Sequence, residues 1–116
     1  MDSGTELDTA FLEELLDGDK EFAQELFETY CESADTALLD AERLLAANDL
    51  EKSFRPFHTL KGASASVGLL NMQETARRLE VAAKAGEIQN CQAQLPGLRL
   101  AVEDAKRLLN EYLAAL

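Results

Sequence analysis

The chain has little of what most chemistry needs. It holds one histidine, two cysteines, no tryptophan and two prolines in 116 residues. Cys31 and Cys91 sit far apart with no CxxC or Cys/His spacing, so they read as a reduced pair rather than a metal site or a disulfide framework. Bases are scarce too: 11 Lys and Arg face 22 Asp and Glu, a formal charge of −11. Phosphate binding needs a basic face, so nucleic acid is not an expected partner, and an acidic field also discourages docking on anionic membrane. No apolar run approaches the roughly 18 residues that span a bilayer. The opening MDSGTELD lacks the basic-then-apolar order of a signal peptide. A cytoplasmic monomer without a membrane anchor is the expectation.

What remains is helix-forming. Hydrophobic residues make up 47% of the chain, enough for a core, and 116 residues suit one domain spanning 1–116. β-Branched residues are few, while alanine, leucine, glutamate and lysine dominate, which favours helix nearly everywhere. The punctuation predicts about five helices. A short one runs near Asp8 to Leu16, with Asp8 as N-cap and Gly18 just past its end. Asp19 caps a long second helix to about Ala47, whose expected buried stripe is Phe22, Leu26, Tyr30, Ala34, Ala37, Leu38, Leu44 and Leu45. A third covers Leu50 to Val67 and ends at Gly68. Asn71 caps a fourth to Ala85, with Leu79, Ala82 and Ala83 inward. The last reaches the C-terminus through Leu98, Val102, Leu108, Leu109, Leu113 and Leu116; Pro96-Gly97 marks either its start or a kink in a helix beginning near Asn90. Short connections between long amphipathic helices imply an all-α, antiparallel up-down four-helix bundle with a short additional N-terminal helix.

The single histidine lies in the third helix, within Phe54-Arg55-Pro56-Phe57-His58-Thr59-Leu60-Lys61-Gly62-Ala63-Ser64-Ala65-Ser66-Val67-Gly68. At about 100° per residue this stretch has two faces. Ser53, Phe57, Leu60, Ser64 and Val67 form the expected core face. Glu51, Phe54, Arg55, His58, Lys61, Gly62 and Ala65 form the other, so the imidazole is predicted to meet solvent. Gly62 inside a helix costs about 1 kcal/mol against alanine, which asks for a compensating use. A missing side chain one turn from the ring, with Ala65 low beyond it, lets another protein approach closely. Lys61 supplies a cation near an anion carried on the ring. An accessible, locally positive spot around a nucleophilic nitrogen suits phosphoryl transfer to histidine.

The run His-Thr-Leu-Lys-Gly followed by Ala-Ser-Ala-Ser-Val-Gly-Leu resembles the signature of histidine-containing phosphotransfer (HPt) domains of multistep phosphorelays, matching at His58, Leu60, Lys61, Gly62, Ser64, Gly68 and Leu69. With the helix order, the resemblance extends over residues 5–116. It implies that His58 accepts a phosphoryl group from one receiver-domain aspartate and passes it to another. It also implies no kinase activity, no ATP site and no cofactor of the chain's own, with Mg²⁺ supplied on the receiver. By the same resemblance Glu80, on the fourth helix, falls where a polar residue steadies the unphosphorylated ring nitrogen, and Lys84 is a second cation one turn on. Pro56 departs from the pattern; it either kinks the third helix or confines its regular part to later residues. Phe54, with Leu12 and Leu16 from the first helix, is expected to form an apolar docking patch beside His58.

Other features read as ordinary surface or packing. Arg77-Arg78 looks like a solvated face bridging to Glu74 or Glu80, and Ser64 and Ser66 look like packing or local backbone-bonding residues. Two rival functions share the motif or ignore it. One is the phosphoacceptor module of a chemotaxis-type histidine kinase, charged from ATP by a separate catalytic domain; the other is a helical adaptor with an incidental histidine. A start at Met1 and an end just after the fifth helix favour a freestanding carrier.

Overall fold

A computed structural model describes residues 6–116; the reading of residues 1–5 as part of the domain and of a non-leader start falls outside them. Five helices follow one another: α1 (Thr9–Leu16), α2 (Lys20–Ala46), α3 (Arg55–Ser66), α4 (Leu70–Lys84) and α5 (Ile88–Ala114). Asp8 and Asp19 cap α1 and α2 as the sequence predicts, each accepting from the backbone N–H three residues on, at 3.0 Å. α2 packs on α3, α3 on α4, α4 on α5 and α5 back on α2. That closed ring, with successive helices joined by short turns, is an all-α four-helix bundle of antiparallel neighbours.

The core runs the length of the bundle. Its largest fully buried side chains include Tyr30, Leu45, Phe57, Leu60, Leu79, Val102 and Leu109. α2 and α5, at 27 residues each, outreach α3 and α4. Their projecting ends meet in an edge-on contact of Phe27 with Tyr112, ring centroids 6.1 Å apart, and α1 lies against α2. α1 is also fastened to the α3–α4 corner: Asp8 N–H donates to Gly68 O at 2.8 Å, and Leu7 bridges to Leu69. Gly68 needs to be glycine twice over. Its φ is +74°, and a Cβ there would stand 3.2–3.3 Å from Phe11 and Asp8.

Several boundaries and faces differ from expectation. α3 begins at Arg55, not Leu50. The Asp49 carboxylate accepts from the backbone N–H groups of Glu51 and Lys52, holding residues 50–54 in turns, and Pro56 sits in the first helical turn where its missing N–H costs nothing. α4 starts at Leu70, ahead of Asn71. α5 runs through Pro96 from Ile88; Ile88 and Cys91 before the proline and Leu98 and Val102 after it are all buried, so packing on both sides offsets one lost backbone bond. Phe22 is exposed and Leu26 half-buried, while Ala23 and Phe27 take the buried positions. Ala82, Leu108 and Leu113 are half-buried and Leu116 is exposed. Both cysteines are free, Cys91 in the core and Cys31 half-buried. Among the described residues no helix is long and apolar enough to cross a membrane.

Candidate functional site

Phe57, Leu60, Ser64 and Val67 are all buried, and this anchoring fixes the rotation of α3 about its axis. The opposite face is thereby turned outward, and the side chain of His58 is 64% exposed. α4, the neighbour on which α3 packs most closely, brings up Glu80, a carboxylate only 6% exposed at its side chain. His58 Nδ1 lies 2.8 Å from Glu80 Oε2, and Lys61 Nζ donates to Glu80 Oε1 at 2.7 Å. Lys84 Nζ stands 3.5 Å from Oε2. Three basic side chains from two helices thus converge on one buried carboxylate.

Burial pushes the Glu80 carboxyl upward, but the hydrogen bonds and charges of Lys61 and His58 outweigh it and bring its pKa down to about 2. The group is ionised at neutral pH and can only accept. The proton between it and His58 therefore resides on Nδ1, and in the neutral ring Nε2 keeps the lone pair. Among the described residues the adjoining position on α3, Gly62, is exposed. A Cβ at Gly62 would have no neighbour within 4 Å, so the glycine satisfies no internal packing need.

The remaining expected site residues divide. Phe54 is half-buried, one turn before His58; its carbonyl accepts from His58 N–H at 3.1 Å, and the Lys84 ammonium sits 5.0 Å from its ring centroid. Ala65 is half-buried on the same face. Leu12 and Leu16 do not join them. They are 0% and 2% exposed in the core, and the apolar side chains that α1 presents to solvent are Phe11 and Leu15. A docking patch built on Leu12 and Leu16 is therefore corrected. Arg77 pairs with Glu74 at 2.6 Å, Arg78 approaches the same carboxylate at 4.0 Å, and Ser66 donates to Ala63 O. Sequence reasoning placed Glu80 beside His58 but missed that it also holds Lys61. The 19-residue separation of that pair carries no local periodic signal.

A family model described as Hpt domain matches residues 25–108. Among curated proteins, the phosphorelay intermediate protein rdeA of Dictyostelium discoideum is 26% identical over 96 residues, covering 83% of this chain and 38% of that protein. Multistep phosphorelay regulator 1 of Schizosaccharomyces pombe is 36% identical over 64 residues, covering 55% of this chain and 22% of that protein. The chain thus spans well under half the length of either relative. No solved structure matches.

Proposed function

The chain belongs to the Hpt domain family, and from that premise we propose that it is a phosphoryl carrier between receiver domains of a multistep phosphorelay. The observation that carries the reading is the 2.8 Å contact of His58 Nδ1 with an ionised, buried Glu80, which leaves Nε2 of an exposed ring as the nucleophile. In the first step the Nε2 lone pair attacks the phosphorus of an aspartyl phosphate. The N–P bond forms, the P–O bond to aspartate breaks, and the receiver's carboxylate leaves. The ring then carries a positive charge with its proton still on Nδ1, and Glu80 stabilises it at hydrogen-bond distance. In the second step another receiver's carboxylate attacks the phosphorus and neutral imidazole leaves.

Positioning and charge neutralisation supply most of the catalysis in such transfers. Lys61, one helical turn from His58, shares its ammonium between Glu80 and the arriving phosphoryl oxygens. Lys84 adds a second positive charge. Gly62 and Ala65 keep the approach low, and Phe54 offers a partly exposed aromatic edge to the partner. Mg²⁺ belongs to the receiver in this reading, and the chain acts without a cofactor, an ATP site or kinase activity of its own. We take the setting to be cytoplasmic and the carrier to be a monomer with no nucleic-acid or membrane partner. Both relatives are named as phosphorelay proteins, which favours receivers over an ATP-fed catalytic domain as the phosphodonor.

The test is a labelling assay with phosphorylated receiver domains. The wild-type chain should acquire an acid-labile, base-stable phosphoryl group. His58→Gln should acquire none while its helical circular dichroism stays intact. Label retained in that variant would overturn the assignment.

A further inference from the structure

With twice as many acids as bases, nearly every cation in this chain should find a carboxylate. Eight of the eleven do, at 4.0 Å or less. Among the described residues the three that do not are Lys20, Lys52 and Arg55. Two of those three line one groove. It lies between α2 and the start of α3, has a volume of about 420 Å³, and carries Arg43 on its α2 wall and Thr59 on its α3 wall.

The groove also holds two acids, and both are occupied. Asp40 stands 3.6 Å from Arg43. Asp49 accepts from the backbone N–H groups of Glu51 and Lys52. Three cations against two acids give the groove a local excess of positive charge on a molecule of net −11. Arg55 lies one helical turn before His58 and Thr59 directly after it, so the groove, which neither His58 nor Glu80 lines, flanks the turn of α3 that carries the imidazole on its α2 side. Among the described residues neither Lys52 nor Arg55 has a carboxylate within 4.0 Å. An aspartyl-phosphate site is anionic by its own chemistry, and a partner presenting one to His58 brings that charge to this spot.

We propose that the groove formed by Arg43, Lys52 and Arg55 is an electrostatic docking site for a carboxylate-bearing loop of the receiver domain. This rests on the phosphocarrier reading above and adds the means of partner selection. The cations steer encounter and register, and the imidazole then reacts. The groove, rather than the reacting atoms, decides which receivers are served.

The experiment measures phosphoryl transfer from whichever phosphorylated receiver charges the wild-type chain fastest, across a salt series. In Lys52→Glu/Arg55→Glu, KM should rise about tenfold at low salt, with kcat within about twofold of wild type. The gap should close near 0.5 M salt, where screening acts within about 4–5 Å. Lys52→Arg/Arg55→Lys, which keeps the charges, should retain the wild-type KM and salt slope. Circular dichroism of each variant confirms the fold. An unchanged KM in the charge-reversed variant overturns the groove proposal alone. Equal loss in the charge-conserving variant also overturns it, because shape rather than charge would then be responsible. Failure of every receiver to label the wild-type chain defeats the phosphocarrier reading and this proposal with it.

Discussion

Two charge clusters staple this bundle, and they are near mirror images. On one side Glu80 of α4 gathers His58 and Lys61 of α3, with Lys84 of its own helix. On the other Lys106 of α5 gathers Asp35 of α2 at 2.5 Å and Glu103 of α5 at 3.1 Å. Each puts the less exposed member at the centre and joins two helices. They differ in what they leave open. Asp35 and Glu103 are more than half exposed, and both carboxylates are engaged by the Lys106 ammonium. Among the described residues the Glu80 cluster ends in an exposed imidazole whose second nitrogen has no partner, next to a glycine at which a Cβ would have no neighbour within 4 Å. A bridging ion cluster is thus a structural device in both places, and in the proposed reading the outward-facing imidazole makes one of them a site.

The largest difference should appear on removing each centre. Glu80→Ala takes away a buried acceptor and leaves His58 and Lys61 facing each other, and should cost about 2–3 kcal/mol in denaturant unfolding. Lys106→Met leaves two solvated carboxylates and should cost about 0.5 kcal/mol. The pH limbs are opposite in sign. Glu80 titrates at about 2 in the folded chain against an ordinary 4.5. Its contribution, about 3 kcal/mol from that shift, is complete above pH 4.5 and disappears as pH falls toward 2. Burial pushes Lys106 down, but Asp35 and Glu103 reverse this and raise it above 10.5, so its contribution holds below that pH and fades on the alkaline side. Equal costs for the two variants, or an acid limb unchanged by Glu80→Ala, would contradict this contrast.

A smaller effect separates two glycines. Gly62 and Gly97 both sit in helix interiors with nothing within 4 Å of a built Cβ. Alanine at either should stabilise the fold by about 0.5–1 kcal/mol. Gly62→Ala should also slow transfer severalfold, since its methyl stands in the partner's path, whereas Gly97→Ala should leave transfer untouched. Thermal melts and transfer rates on the two variants decide this. Equal kinetics would remove the functional meaning of Gly62.

Much of this is legible in the amino-acid sequence itself. Caps at Asp8 and Asp19 and the two faces around His58 follow from short-range chemistry that operates inside one helix, and so they emerge from spacing alone. What failed needed the neighbours. On α1, Phe11 and Leu15 keep the same four-residue spacing as Leu12 and Leu16, and only the seat of α1 against α2 and the α3–α4 corner decides which pair is buried. On α2, the stripe drawn through Phe22 misses the buried positions Ala23 and Phe27, the second of which is set by Tyr112 of α5. The turn at 50–54 carries no periodic signal, because it is organised by the Asp49 carboxylate accepting from the backbone N–H groups of Glu51 and Lys52. The double role of Glu80 and the groove at Arg55 are products of α3 meeting α4 and α2, and no periodicity within one helix encodes them.

The most direct test observes the nitrogen itself. A chain with isotope-labelled histidine, charged by a phosphorylated receiver, can be read by phosphorus–nitrogen coupling in NMR. Coupling should appear at Nε2 of His58, with Nδ1 still carrying its proton toward Glu80. Coupling at Nδ1, or phosphorus bound to any other residue, would contradict the account.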